Sequence, residues 1–316
     1  MTVPVGVIGV GSMGRHHARV YRELPDARLV GVADVNAEAA ESVANDYDTV
    51  VLPREELLEA AEAVSVVVPS RFHESVGVAA IEAGVHTLIE KPIATTLDEA
   101  AAIVRAAEEA GVTLQVGHVE RFNPAVRTVA DFVDDLDLVA VEARRLGPPL
   151  DDTRAVGDGV VLDLMIHDLD IVRALVDADV TSVGASASPE RDYVTASLSF
   201  DNDVVGGLTA SRATQRKVRE LTLTARDCFV TVDYLDSSVT IHRRNRPSYL
   251  VDDGDVRYRS ERVVERPIVE NGEPLKKELE AFLDAIAEGT DPIVDGTDGY
   301  EALSLATRVS DSIRPK

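Results

Sequence analysis

The chain has 316 residues, more than one hydrophobic core usually serves, so two domains are expected. Its 45% apolar and 28% charged content excludes a disordered chain, and no apolar run approaches the roughly 20 residues needed to span a bilayer. The net charge of −24, with only five lysines (Lys91, Lys217, Lys276, Lys277 and Lys316) among 32 basic residues, argues against nucleic acid and points to a salt-adapted, halophilic protein. The plainer alternative is an ordinary acidic cytosolic protein.

The start, Met-Thr-Val-Pro-Val-Gly-Val-Ile, has neither a basic flank nor a small-residue cleavage site. It reads as a first strand rather than a signal peptide, so a cytoplasmic location is expected. The single cysteine, Cys228, excludes an internal disulfide and a Cys-based zinc site. From residue 3 to about 117, short β-branched runs at 3–8, 28–33, 63–68, 85–89 and 112–116 alternate with amphipathic stretches such as 97–110. That rhythm predicts βαβ units and a parallel sheet covered by helices. After Asn123-Pro124 it changes: a helix is predicted at 125–134, a strand at 138–146 and a long helix at 160–176. Strands at 193–200 and 204–211 flank a hairpin turn at Asp201-Asn202-Asp203, and 220–225, 229–234 and 239–242 continue the pattern. Turns at 252–255 and 271–274 precede closing helices at 275–288 and 299–312. The predicted division is 1–120 for a nucleotide-binding domain and 121–316 for a catalytic, substrate and oligomerisation domain, with the helices of 275–314 able to pack back on the first. The second domain reads as α+β with a largely antiparallel sheet. Alternation along 193–200 gives one apolar face (Val194, Ala196, Leu198 and Phe200), suited to a domain core or to a subunit interface.

Gly9-Val10-Gly11-Ser12-Met13-Gly14 follows the first predicted strand and opens a helix, the context that gives this pattern meaning. The first glycine permits the turn, the second lets a pyrophosphate approach the backbone, and the third permits close helix packing. The helix N-terminus favours the anion. Chance glycines in a structural turn are the bland alternative. Asp34, 20 residues past Gly14, is placed to accept hydrogen bonds from ribose hydroxyls and to repel a 2′-phosphate, which predicts NAD rather than NADP; its alternative use is as a helix N-cap. Val68, Pro69, Ser70 and His73 follow the 63–68 strand on the same edge and are expected beside the nicotinamide half, although His73 alone reads more simply as a polar helix start. His16 and His17 are adjacent on one helix, point in different directions, and do not make a metal site.

The 85–89 strand ends in Glu90-Lys91-Pro92, where a lysine beside the nicotinamide can donate to a substrate oxygen; alone, the triplet reads as a solvated turn. Asp163 and His167 lie four apart in an otherwise apolar helix, which puts carboxylate and imidazole on one face. His167 suits a proton acceptor with Asp163 orienting it or the substrate. A structural Asp–His pair is the commoner meaning of such spacing, and no third ligand supports a metal.

Together these motifs, with the 292–299 segment before the last helix, resemble the Gfo/Idh/MocA family of sugar and cyclitol dehydrogenases nearly end to end. The resemblance implies an α/β fold: an N-terminal Rossmann parallel sheet with helices on both faces, plus a C-terminal α/β domain with an open, largely antiparallel sheet whose exposed face builds a homodimer or homotetramer. It implies NAD, a catalytic trio of Lys91, Asp163 and His167, and a cofactor site that includes Glu90 and Lys91. The segment Gly117-His118-Val119-Glu120-Arg121-Phe122-Asn123-Pro124, at the predicted domain junction, is similar to that of members oxidising carbon 3 of nucleotide sugars, UDP-N-acetylglucosamine among them. His118, Arg121 and Asn123 are then substrate contacts, joined by Arg144 and Arg145 as cations for an anionic ligand, only one of which alternation turns inward; surface ion pairing is their other use. Rivals are a free-sugar, sugar-phosphate or inositol dehydrogenase with the same machinery, and a non-catalytic NAD- or sugar-sensing regulator.

Overall fold

In the computed structural model, residues 2–149, 159–244, 248–252, 255–259 and 262–313 are described. Contacts divide the chain into one unit of residues 1–122 and 272–305 and a second of 123–271 and 306–316.

The first unit is built on five parallel strands, β1 (Val3–Ile8), β2 (Ala27–Ala33), β3 (Ala63–Val66), β4 (His86–Glu90) and β5 (Leu114–Gly117), in the order β2-β1-β3-β4-β5. Between them run α1 (Ser12–Glu23), α2 (Ala37–Asp46), α3 (Arg54–Ala60), α4 (His73–Glu82) and α5 (Leu97–Ala110). The order reverses between β1 and β3, and ligands of such sheets gather at the carboxyl ends of the strands flanking that switch point. Val5 and Val7 of β1 pack with Val20 and Tyr21 of α1 and with Leu279 and Phe282 from the far end of the chain.

The second unit opens with α6 (Pro124–Ala130), capped by the Asn123 side chain, which accepts from the Ala125 N–H. The strand β6 (Leu138–Leu146) follows, then a π-helical turn at Val161–Met165 leading into α7 (Ile166–Val176). Strands β7 (Val180–Ala187), β8 (Tyr193–Phe200), β9 (Val205–Ser211), β10 (Val218–Ala225), β11 (Cys228–Asp233) and β12 (Ser238–Arg244) come next, followed by the separate hairpin β13 (Ser248–Asp252) and β14 (Asp255–Arg259), then β15 (Arg262–Glu265). Eight of these form one sheet, β15-β12-β11-β10-β6-β9-β8-β7, antiparallel except for the parallel pair β6–β9. Residues 253 and 254 of the predicted 252–255 turn lie outside the described residues. The apolar face of β8 is buried within the unit, so Val194, Ala196, Leu198 and Phe200 are domain core.

Two helices close the chain: α8 (Pro274–Glu288), which packs on α1, and α9 (Gly296–Ser312). The predicted helix at 160–176 is helical throughout, its first part the π-helical turn at Val161–Met165, which runs without a break into α7. Among the described residues no helix is long and apolar enough to cross a membrane.

Candidate functional site

The glycine loop runs from β1 into α1. Gly9 has φ of 89° and packs against the chain after β3: a Cβ there would meet the Val67 carbonyl oxygen at 2.6 Å. At Gly14 a Cβ would meet the Gly9 carbonyl oxygen at 1.9 Å, so the third glycine is a packing requirement. Gly11 has open space where its Cβ would be. No side chain caps α1 at Gly11 and its first turn carries no acid, so no side chain at that end occupies its first N–H groups as a cap. Ser12 and Met13 complete that first turn, Ser12 exposed. These features fit the pyrophosphate of a dinucleotide.

Asp34 stands just after β2. Its Oδ2 accepts from the Val10 N–H at 2.6 Å, in the glycine loop, and its Oδ1 accepts from the Asn36 N–H at 2.7 Å. The N-cap of α2 is Asn36, whose Oδ1 accepts from the Ala39 N–H, not Asp34. The carboxylate is thus fixed by backbone donors beside the loop. Val68, Pro69 and Ser70 follow β3, the last opening a short 3-10 turn, and His73 is buried at the start of α4.

Lys91 directly follows β4, and its peptide bond to Pro92 is cis. Beneath it lies a buried chain of polar groups: the Tyr21 hydroxyl is 2.8 Å from Ser65 Oγ, which is 3.1 Å from His17 Nδ1, while His17 Nε2 is 3.0 Å from Glu90 Oε1. Glu90 Oε2 accepts from the Lys91 N–H at 3.2 Å. The donor inventory orients the whole chain. An ionised carboxylate only accepts, so His17 donates to Glu90 through Nε2; where the ring is neutral, Nδ1 then accepts from Ser65, which accepts from Tyr21. Burial pushes the Glu90 carboxyl up, but the hydrogen bond and attraction of His17, with the charge and N–H of Lys91, outweigh this and hold it below its ordinary range. Burial pushes the Tyr21 phenol well up, keeping it a donor. His17, Glu90 and Glu278 place ligand atoms within 4.8 Å of one another, the sole such group of three among the described residues. The pairing of His17 dismissed in the sequence was with His16. The informative relation was to Tyr21, four residues on, and to the buried face of α1.

Gly117 ends β5 against Glu90, where a Cβ would sit 3.1 Å from Glu90 Oε2. His118 is buried, and Arg121 pairs with Asp298 of α9 at 3.2 Å.

In the second unit, Asp163 sits on the π-helical turn and forms a short ion pair with Arg212, just past β9; His167 lies in the first turn of α7, partly buried. Such turns interrupt helices at functional positions. Arg212 was missed in the sequence because the loop after β9 carries no motif. Arg145 corrects an expectation: it is 3% exposed and forms a bidentate pair with Asp168, Nε to Oδ2 at 2.9 Å and Nη2 to Oδ1 at 2.8 Å, with its guanidinium 5.6 Å from the Tyr234 ring centre. That fork is committed inside the unit rather than offered to an anionic ligand. Arg144 points the other way, exposed and 3.7 Å from Glu220. Asn123 spends its Oδ1 on the α6 cap.

A dinucleotide-binding edge with a lysine at a strand end defines a class, and sequence comparison agrees. Residues 3–118 match the oxidoreductase family with NAD-binding Rossmann fold, and residues 137–227 match the GFO/IDH/MocA C-terminal domain. The chain belongs to the Gfo/Idh/MocA oxidoreductases. UDP-N-acetylglucosamine 3-dehydrogenase of Acidithiobacillus ferrooxidans is 36% identical over 311 residues, covering 96% of this chain and 95% of that protein. A solved structure of UDP-N-acetylglucosamine 3-dehydrogenase from the same organism matches with a TM-score of 0.89 at 32% identity, covering 99% of this chain and 98% of that one. Inositol 2-dehydrogenase of Rhizobium meliloti is 28% identical over 327 residues, covering 100% of this chain and 98% of the relative.

Proposed function

We propose that the chain oxidises a sugar hydroxyl with NAD, acting at carbon 3 of a nucleotide sugar such as UDP-N-acetylglucosamine. The observation that carries the reading is Lys91 at the end of β4, on the same strand edge as the open glycine loop and braced by an ionised Glu90. Near full-length similarity to the Acidithiobacillus enzyme supports the substrate.

The bound nicotinamide supplies the hydride acceptor. Gly9, Gly11, Ser12, Met13 and Gly14 hold the pyrophosphate, and Val68, Pro69, Ser70, His73 and Glu90 flank the nicotinamide half. Asp34, an anion pinned by two backbone N–H groups, receives ribose hydroxyls and repels a 2′-phosphate, which selects NAD over NADP. Lys91 donates to the substrate oxygen, His167 accepts the hydroxyl proton, and Asp163, paired with Arg212, sets the geometry. His118, Arg121 and Asn123 address the sugar, and Arg144 is the remaining strand cation for phosphate. In this reading residues 1–120 bind the cofactor and contribute Lys91, and 121–316 supply the remaining catalytic and substrate residues and oligomerisation. The reading includes a cytoplasmic, salt-adapted homodimer or homotetramer. Similarity to an inositol dehydrogenase supports the second reading, a free-sugar or inositol substrate on the same machinery.

The test is absorbance of reduced nicotinamide in molar potassium chloride with NAD and a panel of UDP-sugars, free sugars and inositols. The expected outcome is reduction with UDP-N-acetylglucosamine, lost by a factor on the order of 100 to 10,000 in Lys91→Met or His167→Ala. Reduction with inositol alone transfers the reading to that substrate. NAD binding with no turnover on any member of the panel replaces it with a sensor.

A further inference from the structure

Pro92, on the other side of Lys91 from Glu90, is also held by a histidine. His73 is 1% exposed; its Nδ1 lies 2.8 Å from the Pro92 carbonyl oxygen and its Nε2 lies 2.8 Å from the Val68 carbonyl oxygen. The two histidines differ in what they face. His17 stands between a hydroxyl and a carboxylate, a set that a neutral ring satisfies with one donor and one acceptor. His73 stands between two carbonyl oxygens, which only accept, so both contacts are hydrogen bonds only when both ring nitrogens carry a proton. One bare nitrogen would leave two acceptors facing each other at a ring that is itself 1% exposed, a costly arrangement.

We infer that the turn carrying Lys91 is gripped at both ends by buried histidines, His17 acting through Glu90 and a doubly protonated His73 acting through the Pro92 carbonyl, and that both are positioning residues for Lys91. The grip ties the Lys91 turn to α1 on one side and to the β3–α4 connection on the other. His73 opens α4, whose dipole opposes a cation at that end, so the two carbonyl acceptors must outweigh it. The charged side chains beside it in the chain are Arg71, stacked on Phe72 at 4.6 Å, and Glu74; neither is a described partner of the ring. The role given to Lys91 rests on the proposed function.

Two measurements test the inference on the full chain. Ring-nitrogen NMR of histidine-labelled protein at neutral pH, assigned with His73→Phe and His17→Gln, is expected to show two protonated nitrogens on His73. A bare nitrogen on His73 overturns the clamp, and the unsubstituted protein gives this readout even where the variants fail to fold. Turnover of NAD with UDP-N-acetylglucosamine is the second. His73→Phe fills the space but donates nothing, and kcat at saturating NAD is expected to fall on the order of 100-fold while KM for the sugar substrate holds, as for a misplaced catalytic group. An unchanged kcat per folded molecule overturns the positioning role. If the unsubstituted chain turns over no sugar, the positioning role falls with the proposed function, whereas turnover with a bare His73 nitrogen removes the clamp alone.

Discussion

In the first unit the buried polar groups run as a series directed from Tyr21 through Ser65 and His17 onto Glu90, which also accepts from the Lys91 N–H, whereas in the second Arg145 and Asp168 meet in a bidentate fork. The first arrangement reaches the lysine assigned to chemistry. The second joins β6 to α7. A series that reaches Lys91 transmits geometry to it, while the fork fixes the strand and helix that carry it. Damage to the two should therefore appear in different measurements.

The largest stability effect is expected from the closed pair. Asp168→Ala removes the bidentate carboxylate from the buried Arg145 charge and should cost about 3–5 kcal/mol in urea unfolding. Removing both charges with Arg145→Met and Asp168→Leu together should recover most of that loss, since a buried pair roughly balances its own desolvation. A small loss in the single variant would mean that the fork is not the organising contact of α7 and β6.

The directed series predicts a pH effect instead. The Glu90 carboxyl is held below its ordinary range in the folded protein, so its contribution to stability is present above the unfolded carboxylate range and is lost as pH falls through the depressed folded value. Urea unfolding over a pH series should show the wild type losing stability on acidification and Glu90→Gln losing less. Parallel acid limbs would remove Glu90 as an ionised terminus. On the cofactor side, Asp34→Ser should shift the NADP-to-NAD preference in kcat/KM on the order of tenfold, about 1.4 kcal/mol. An unchanged ratio would place the discrimination elsewhere.

The glycine loop was legible because its three glycines answer three separate steric demands, and the β8–β9 hairpin because Asp201-Asn202-Asp203 breaks two alternating runs. The edge strand β7 was not legible: its small and polar residues are mostly half exposed and show no burial period. The π-helical turn at Asp163 was hidden because its apolar residues suit an α-helix equally well. Side-chain partnerships were the least visible. Adjacent arginines on β6 look equivalent in sequence, and only the tertiary placement of Asp168 distinguishes them. His73 read as a plain helix start because both of its partners are backbone carbonyls, which no sequence pattern marks.

The smallest expected effect is at Arg144, and it sharpens the contrast with its neighbour. Arg144 and Arg145 occupy opposite faces of one strand, the first exposed and 3.7 Å from Glu220, the second enclosed by Asp168. Exposed pairs of that kind contribute about 0–1 kcal/mol, so Arg144→Ala should leave the urea midpoint close to the wild type. Calorimetric titration of the same variant with UDP-N-acetylglucosamine separates its two uses. Unchanged affinity makes Arg144 a solvated member of the outer sheet face and leaves Arg121 as the nominated cation for the nucleotide. Weakened affinity at unchanged stability makes Arg144 the strand cation that recognises phosphate, since nothing in its fold contacts would then account for the loss.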